Sequence, residues 1–588
     1  MKILMFSEKD AANISLGRIA YEFIEKGCSI RIFAPFYNDI ILAYFPDSVP
    51  RFHIKDLNQS DIDWCDIIFC STLDSIYLPI EVFKARKPIF THNYLMNRQV
   101  NWGGDICFVP KREVVASDYD AYFSYAYVGI GEPKYDEKGS HSLKGNSNNI
   151  LFIDSGHFPF SYKGKEELAK TLIHICNSYP DYQLIIKPRM LPGDKIVTHR
   201  NAIHIYDVIR KMCNGVIPKN LVMLKKNVDL MELINSACTV VCLYTTAFVG
   251  AVVAEKGLVI LENYPSRDVY DIREKTFLRN RVNMIKSGAL IDYREIDKFL
   301  PDGIKPNPTY INSLLDEKYS VAEKIVEVCT YMHERFYSKN RFPKLNNTIY
   351  KKYRDDFLED YDMTWEKNIS RRFYDYMVLK SLILIDFHVK AKLNISCVLD
   401  EINKTLNPDG LVDEEQFDYF LHNSTIIRDM CIINNRKQML KDNIDAGILL
   451  NAYYHRGMHK EIEQFPLKNI AAYYLFRAFS IMEHEKNSDE CKKYLIKYLK
   501  KSASRKYNIE ISDMSDNKFK AYEMIITILE KNNEWKDVIF YNNHLKQLYF
   551  ENYSVVMSDV PQNEIQRKRY DFIIETEKWI NNHRNDMK

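Results

Sequence analysis

The sequence predicts an α/β-plus-α protein: two successive parallel α/β domains followed by an all-helical region. Three observations predict it. Up to about residue 310, short apolar runs alternate with amphipathic helical stretches, the pattern of β-α-β units around a parallel sheet. A polar, turn-rich segment, Glu137–Asn149, interrupts that alternation near its middle. Beyond about residue 310 the strand-like runs nearly vanish and helical patterns continue to the end.

The elements follow in order. Ile3–Phe6 is a short apolar run that reads as a first strand, and Leu16–Lys26 follows as a helix with Leu16, Ile19, Ala20, Phe23 and Ile24 on one face. Ser29–Ala34, Ile67–Cys70 and Pro88–Thr91 read as buried strands, and Asp120–Tyr125 as a further strand end. After the linker, Asn149–Asp154 opens a second alternating set. It continues with a helix over Lys165–Ser178, whose apolar side is Leu168, Leu172, Ile173 and Ile175, and a strand at Gln183–Lys187. Leu221–Leu224, Thr239–Leu243 and Leu258–Leu261 repeat the strand pattern. In the last part, Asp445–Gln464 and Ile470–Leu499 read as helix pairs, with alternating small and aromatic positions as in tetratricopeptide-type hairpins; Ala521–Leu529 begins another. The expected division is residues 1–145 and 146–310 for the two Rossmann-like domains, 311–350 for a helical connection, and 351–588 for an irregular helical repeat-like domain.

Composition sets the bounds. At 588 residues the chain exceeds the ~250–300 residues at which a single core stops growing. Hydrophobic residues at 46% and charged residues at 27% are those of a globular protein, which excludes wholesale disorder. Lys+Arg 81 against Asp+Glu 79 leaves a net charge of +2, so no global field points to nucleic acid. The 12 cysteines occur without a Cys-x-x-Cys pair, so clustered zinc ligands of that type are not expected, and a reduced compartment is. The start lacks the ~7–15 apolar residues of a secretory signal, and no window reaches the ~18 of a membrane span. The expected location is cytoplasmic, at most on the inner face of the plasma membrane. Neither a Gly-x-x-x-x-Gly-Lys-Ser/Thr loop nor a Gly-x-Gly-x-x-Gly turn after the first strand is present. Walker-type ATPases and common dinucleotide oxidoreductases therefore lose support.

Candidate chemistry sits at strand ends, where open parallel sheets bind their ligands. Thr239–Leu243 runs into Tyr244-Thr245-Thr246 and then a small-residue helix. The hydroxyls there either cap the helix or donate to an anion favoured by its free N–H groups. Lys187-Pro188-Arg189 follows a strand directly, either as phosphate-binding cations or as salt-bridge partners. His157, in the loop Asp154–Phe160, is a donor contact or an ordinary loop histidine. His92 lies just past Pro88–Thr91 and is a proton acceptor for a hydroxyl or a polar loop residue. Asp10, after the first strand, is the rival base or a helix cap. Lys492, Lys493, Lys497, Lys500, Lys501, Arg505 and Lys506 form a basic stretch with Tyr494, Leu495, Tyr498 and Leu499 as its apolar side. That stretch is a solvated helix face or a dock for anionic lipid.

Residues from about 87 to 265 resemble the CDP-glycerol glycerophosphotransferase-like enzymes of teichoic acid and capsule assembly, which have the GT-B fold. Gly131-Glu-Pro-Lys-Tyr-Asp136 resembles that family's Gly-x-Pro-Arg-x-Asp segment. Asp229–Ile234 leading to Tyr244-Thr245-Thr246 resembles its strand ending in Tyr-Ser-Ser, and Thr91-His92 falls where the family has a His-Gly pair whose His is the proposed base. Asn93 replaces that glycine, Lys187 stands in place of a His before Pro, and Cys238, Leu243 and Gly250 occupy usually acidic positions. Val252 falls where retaining GT-B families carry a donor-binding Glu, so the resemblance implies an inverting enzyme.

It implies a metal-independent glycosyl or glycerophosphate-type transfer from a nucleotide-activated donor to a surface-polysaccharide or lipid-linked glycan acceptor. His157, Lys187, Arg189, Thr245 and Thr246 would hold the donor, His92 or Asp10 would be the base, and no separate cofactor or nucleic-acid partner is expected. The helical region would hold the acceptor, a membrane surface or a partner protein. The alternatives are a non-catalytic scaffold built on a decayed GT-B core and a nucleotide-sugar epimerase.

Overall fold

A computed structural model describes residues 1–7, 10–34, 44–71, 78–92, 104–109, 126–136, 148–155, 159, 162–189, 191, 204–226, 228–264, 281–314, 320–345, 358–361, 364–384, 395–404, 411–441, 443–502, 512–553 and 564–583. The chain forms two compact units, Met1–Lys380 with Leu406–Asp418, and Ser381–Thr405 with Tyr419–Lys588.

The first unit contains two parallel sheets. Strands β1 (Lys2–Phe6), β2 (Ser29–Ala34), β3 (Arg51–His53), β4 (Ile67–Ser71), β5 (Ile89–His92), β6 (Ile106–Val109) and β7 (Ala126–Gly129) form one, in the order β3-β2-β1-β4-β5-β6-β7. Strands β8 (Asn149–Ile153), β9 (Gln183–Lys187), β10 (Leu221–Met223), β11 (Thr239–Cys242), β12 (Gly257–Glu262) and β13 (Leu290–Asp292) form the other, in the order β10-β9-β8-β11-β12-β13. Each sheet thus starts at an inner strand, winds outward, then reverses, which is the doubly wound Rossmann-like order. The reversal lies between β1 and β4 in the first sheet and between β8 and β11 in the second.

The residues explain the strands. β4, β5 and β6 are buried at every position, as strands covered on both faces must be, and apolar runs tolerate that where alternating ones do not. Several strands escaped the sequence reading: β3, β6, β7 and β13 have only three or four residues each, and a short antiparallel pair, Phe342–Leu345 with Leu358–Tyr361, lies where only helix was expected. The expected strand end at Asp120–Tyr125 lies outside the described residues, as does most of the Glu137–Asn149 linker.

Helices α1 (Asp10–Glu25), α2 (Gln59–Trp64), α3 (Ile80–Lys84), α4 (Tyr162–Ser178), α5 (Ile205–Met212), α6 (Leu230–Ser236) and α7 (Phe248–Val253) connect the strands. α4 buries Leu168, Leu172 and Ile175 as its period predicts, but Ile173 is only partly covered; Ala169 and Cys176 complete the face.

Helix α8 (Val321–Arg335) returns the chain to the first sheet, where Ile325, Val326 and Cys329 share a core with Ile3, Phe23, Phe69 and Phe108. Its start is held twice. Ser320 accepts from the Glu323 N–H, and the Asp136 carboxylate accepts from the N–H groups of Val321 (2.8 Å) and Ala322 (2.8 Å) and from the Ser320 hydroxyl (2.9 Å). Three otherwise orphaned donors at a helix start are satisfied in this way.

Helix α9 (Trp365–Leu384) carries Arg372, the largest fully buried side chain among the described residues. Its guanidinium grips Asp105 through Nε (3.0 Å to Oδ1) and Nη2 (2.6 Å to Oδ2) and reaches the carbonyls of Ala85 and Lys87 at 2.7 Å each. Arg371 adds a third contact to Asp105 at 2.7 Å. Just before it, Gly104 has φ +67, and a Cβ there would lie 2.7 Å from the Ile89 carbonyl oxygen, so only glycine fits this approach.

The second unit is helical. Ala471–Ser480 packs on Ser488–Ser502, Ser512–Lys531 on Trp535–Tyr553, and Trp535–Tyr553 on Glu564–Asn582. The helix pairs expected in Asp445–Gln464 and Ile470–Leu499 are present, and Ala521–Leu529 lies inside Ser512–Lys531. Lys492, Lys493, Lys497, Lys500 and Lys501 of the basic stretch lie on the helix Ser488–Ser502, in which Leu495, Tyr498 and Leu499 are buried and Lys492 pairs with Glu534 at 2.6 Å; Arg505 and Lys506 lie outside the described residues. Leu495, Tyr498 and Leu499 are therefore packed within this unit. No described helix is long and apolar enough to cross a membrane.

Burial raises the pKa of Asp105, but the charges and hydrogen bonds of Arg372 and Arg371 outweigh it and hold the carboxyl below its ordinary range. A carboxyl depressed in the folded state contributes stability that is complete above its unfolded pKa and lost as pH falls through its folded value. Arg372→Met removes the main partner and leaves a buried, undercompensated charge, so it should cost about 3–5 kcal/mol at pH 7. The acid-dependent part of the loss of stability should shrink in this variant. Urea unfolding at pH 7 and at successively lower pH checks both.

Candidate functional site

The two sheets place their polar strand ends at the positions where doubly wound sheets hold ligands. In the second sheet β8 lies between β9 and β11, and Ile153 is in register with Lys187 on one side and Cys242 on the other. Lys187 therefore ends one neighbour of β8, while Tyr244, Thr245 and Thr246 follow the other. Hydrogen bonding closes this corner: the Asp154 N–H donates to the Lys187 carbonyl at 3.0 Å. The Tyr206 hydroxyl lies 3.0 Å from the Ile186 carbonyl oxygen and 3.1 Å from that of Leu224, which pins α5 beneath β9.

The hydroxyls after β11 do not cap α7 directly. The N-cap is Ala247, without a side-chain cap, and Thr245 Oγ1 instead accepts from the Ala247 N–H at 3.2 Å. Thr245 thus shapes the turn one residue ahead of the helix, and Thr246 is half-buried beside it. Lys187 is half-buried and Arg189 exposed. His157 lies outside the described residues.

A buried ion pair stands next to these groups. Lys165, in the first turn of α4, is 1% exposed and reaches Asp154 Oδ1 at 3.3 Å; Asp154 is 5% exposed. The sequence reading took Lys165 as the start of a helix and Asp154 as the end of a strand, and nothing in their spacing paired them. Only the packing of α4 across the end of β8 does so.

In the first sheet His92 ends β5, in register with Ser71 on β4 and Phe108 on β6. It is 1% exposed and faces Glu132, also 1% exposed, with Nε2 3.8 Å from Oε2. Among the described residues neither atom has a hydrogen-bond partner. The other carboxylate oxygen of Glu132 accepts from the buried Ser15 hydroxyl at 2.5 Å. The Gly131 backbone also contacts the ring and favours its protonated form, and Nε2 is the ring nitrogen turned toward Glu132. Burial lowers the His92 pKa, against the pull of Glu132, the Gly131 carbonyl and Asp136. Asp10 opens α1, but its side chain is outside the described residues.

Glu132 and Ser15 were not singled out from the sequence, although each left a trace. Glu132 occupies the variable position of Gly131–Asp136, a segment matched on its Gly, Pro and Asp. Ser15 lies one turn before Ile19, on the face of α1 that is otherwise apolar, where a polar side chain needs a partner. Within the same segment Asp136 caps α8, and Tyr135, with Val109, joins an apolar cluster with Ile153, Ile234 and Phe248 of the second sheet. The turn that carries Glu132 is thus fixed to both sheets.

Lys165→Met should leave Asp154 as a buried charge without its cation. A loss of about 3 kcal/mol or more is expected, and the double variant Lys165→Met, Asp154→Asn should recover part of it. Urea unfolding monitored by circular dichroism measures both.

No protein-family model and no curated protein sequence matches the chain. Among solved structures it is similar to S. aureus MnaA in its co-structure with UDP, at 12% identity and TM-score 0.40, over 57% of this chain and 97% of that one. It is similar to the Methanocaldococcus jannaschii UDP-GlcNAc 2-epimerase in complex with UDP-GlcNAc and UDP, at 11% identity and TM-score 0.38, over 56% of this chain and 100% of that one. Acinetobacter baumannii MurG matches at 10% identity and TM-score 0.34, over 56% of this chain and 99% of that one. Each likeness spans nearly the whole of the solved chain and a little over half of this one.

Proposed function

We propose that the first unit is an inverting GT-B-type transferase. It would move a glycosyl or glycerophosphate-type group from a nucleotide-activated donor to a glycan acceptor of surface-polysaccharide assembly. The observation that carries this reading is the end of the second sheet: Lys187 and Tyr244-Thr245-Thr246 close on β8 from the two strands that flank it, at the point where the strand order reverses. A nucleotide diphosphate bound there meets Lys187 and Arg189 as cations and the Thr245–Thr246 turn as a source of N–H and hydroxyl donors. Fixed donors and cations of this kind stabilise the charge that builds on the leaving nucleotide, a diphosphate in glycosyl transfer and a monophosphate in attack at phosphorus.

The first sheet would then serve the acceptor. His92 would take the proton of the acceptor hydroxyl at Nε2 while the electron pair of that O–H bond attacks the donor carbon or phosphorus. Asp10 is the rival base on the same sheet. The helical unit would hold the acceptor glycan, a membrane surface or a partner protein.

The test is the thermal stability of the full chain with CMP, CDP, UDP, GDP and their activated donors. A ligand at a hundredfold its dissociation constant adds about 2.7 kcal/mol. One nucleotide should raise the melting temperature selectively, and the double variant Lys187→Ala, Arg189→Ala should lose that rise. No stabilisation by any of them would overturn the donor site. Isomerisation of a free donor sugar without acceptor would replace transfer by epimerisation, and binding without turnover on any acceptor would favour a scaffold.

A further inference from the structure

Ser15, Glu132 and His92 come from three separate parts of the chain and meet inside the first sheet's layer. Each is at most 1% exposed. The contacts form a line: the Ser15 hydroxyl donates to Glu132 Oε1 at 2.5 Å, and Glu132 Oε2 faces His92 Nε2 at 3.8 Å. Nε2 and Oε2 are both buried and, among the described residues, both without a hydrogen-bond partner. Buried polar atoms are almost always paired, and two acceptors facing each other lack only a proton between them.

We infer that these three residues act as one proton-holding unit, in which Glu132 stabilises a proton taken up at His92 Nε2 and Ser15 holds the carboxylate in place. Glu132 and Ser15 are positioning residues here. When Nε2 gains a proton, the new N–H bond points at a carboxylate already fixed by Ser15, and the imidazolium forms beside its counter-charge. In transfer the proton comes from the acceptor hydroxyl: its O–H bond breaks, and the electron pair left on oxygen forms the bond to the donor as the donor's bond to its leaving nucleotide phosphate breaks. Among the described residues the other charged group near the ring is Asp136, in the same turn as Glu132, and Arg18 of α1 stands near Asp136. Asp136 is committed to capping α8, which leaves Glu132 as the group whose carboxylate oxygen faces Nε2. The unit itself stands on this geometry; its use in transfer rests on the proposed function.

Both supporting residues predict the same direction with different sizes. Glu132→Gln removes the counter-charge, so the proton on His92 should be lost at lower pH. Ser15→Ala frees the carboxylate to turn away from Nε2 and should lower the midpoint by less, while Ser15→Thr keeps the hydroxyl and should restore it. The full chain labelled with ¹³C and ¹⁵N histidine reports this directly by NMR titration of the imidazole signals, with His92→Asn identifying the His92 resonance. The expected midpoint falls by about one unit or more in Glu132→Gln, as for loss of an opposite charge within ~4–6 Å. No movement in Glu132→Gln, or a rise in Ser15→Ala, overturns the unit. Should Glu132→Gln fail to fold, the Ser15 variants decide: a fall in Ser15→Ala that Ser15→Thr restores supports the unit, and any other result overturns it. None of these readouts needs a substrate, so a failed donor-binding experiment leaves them intact.

Discussion

The structure of the first unit depends on the burial of one carboxylate. Asp105 accepts from the Ile89 N–H at 2.9 Å while its own N–H donates to the Ile89 carbonyl at 2.9 Å, so it ties the entry of β6 to the start of β5. A charge buried this deeply is tolerable only when paired, and the partners, Arg371 and Arg372, lie more than 260 residues away in sequence. Arg372 also spends donors on the carbonyls of Ala85 and Lys87, fixing the chain that leads into β5. His92 ends that four-residue strand, and its position at the strand's C-terminal end is therefore set by a helix from far along the sequence.

The same logic recurs at the 131–136 turn. Its aspartate caps the returning helix, its tyrosine packs against the second sheet's core, and its glutamate faces His92. One six-residue segment thus joins three layers and presents a carboxylate to the ring. Fixing both ends of so short a segment leaves Glu132 little freedom, which is what a proton-holding partner requires. In the second sheet the buried pair Lys165–Asp154 has the corresponding place: it secures α4 across the end of β8, beside the strand ends that carry Lys187 and the Thr245–Thr246 turn.

The helical second unit draws on different physics. Its helices pair as sequence neighbours, Ala471–Ser480 with Ser488–Ser502 and Ser512–Lys531 with Trp535–Tyr553. Local pairing of this kind needs no distant partner, and it accounts for the lysine-rich helix: Leu495, Tyr498 and Leu499 turn inward while Lys497 lies over the rings of Tyr474 and Tyr494.

The sequence by itself determined the alternation of apolar strands and amphipathic helices, the change to helix after about residue 310, and the strand ends that carry His92, Lys187 and Thr245. These are local features, because periodicity and burial of a run are written in consecutive residues. Strands of three or four residues such as β3, β6 and β13 escaped, being too short to carry a period. Only the tertiary structure decided the strand order, the pairing of Lys165 with Asp154, of Arg372 with Asp105, and of His92 with Glu132 and Ser15. Each of those contacts joins residues with no spacing rule between them. A buried charge or hydroxyl selects its partner by what the fold brings within hydrogen-bonding reach, and that is a property of packed layers that no single segment holds.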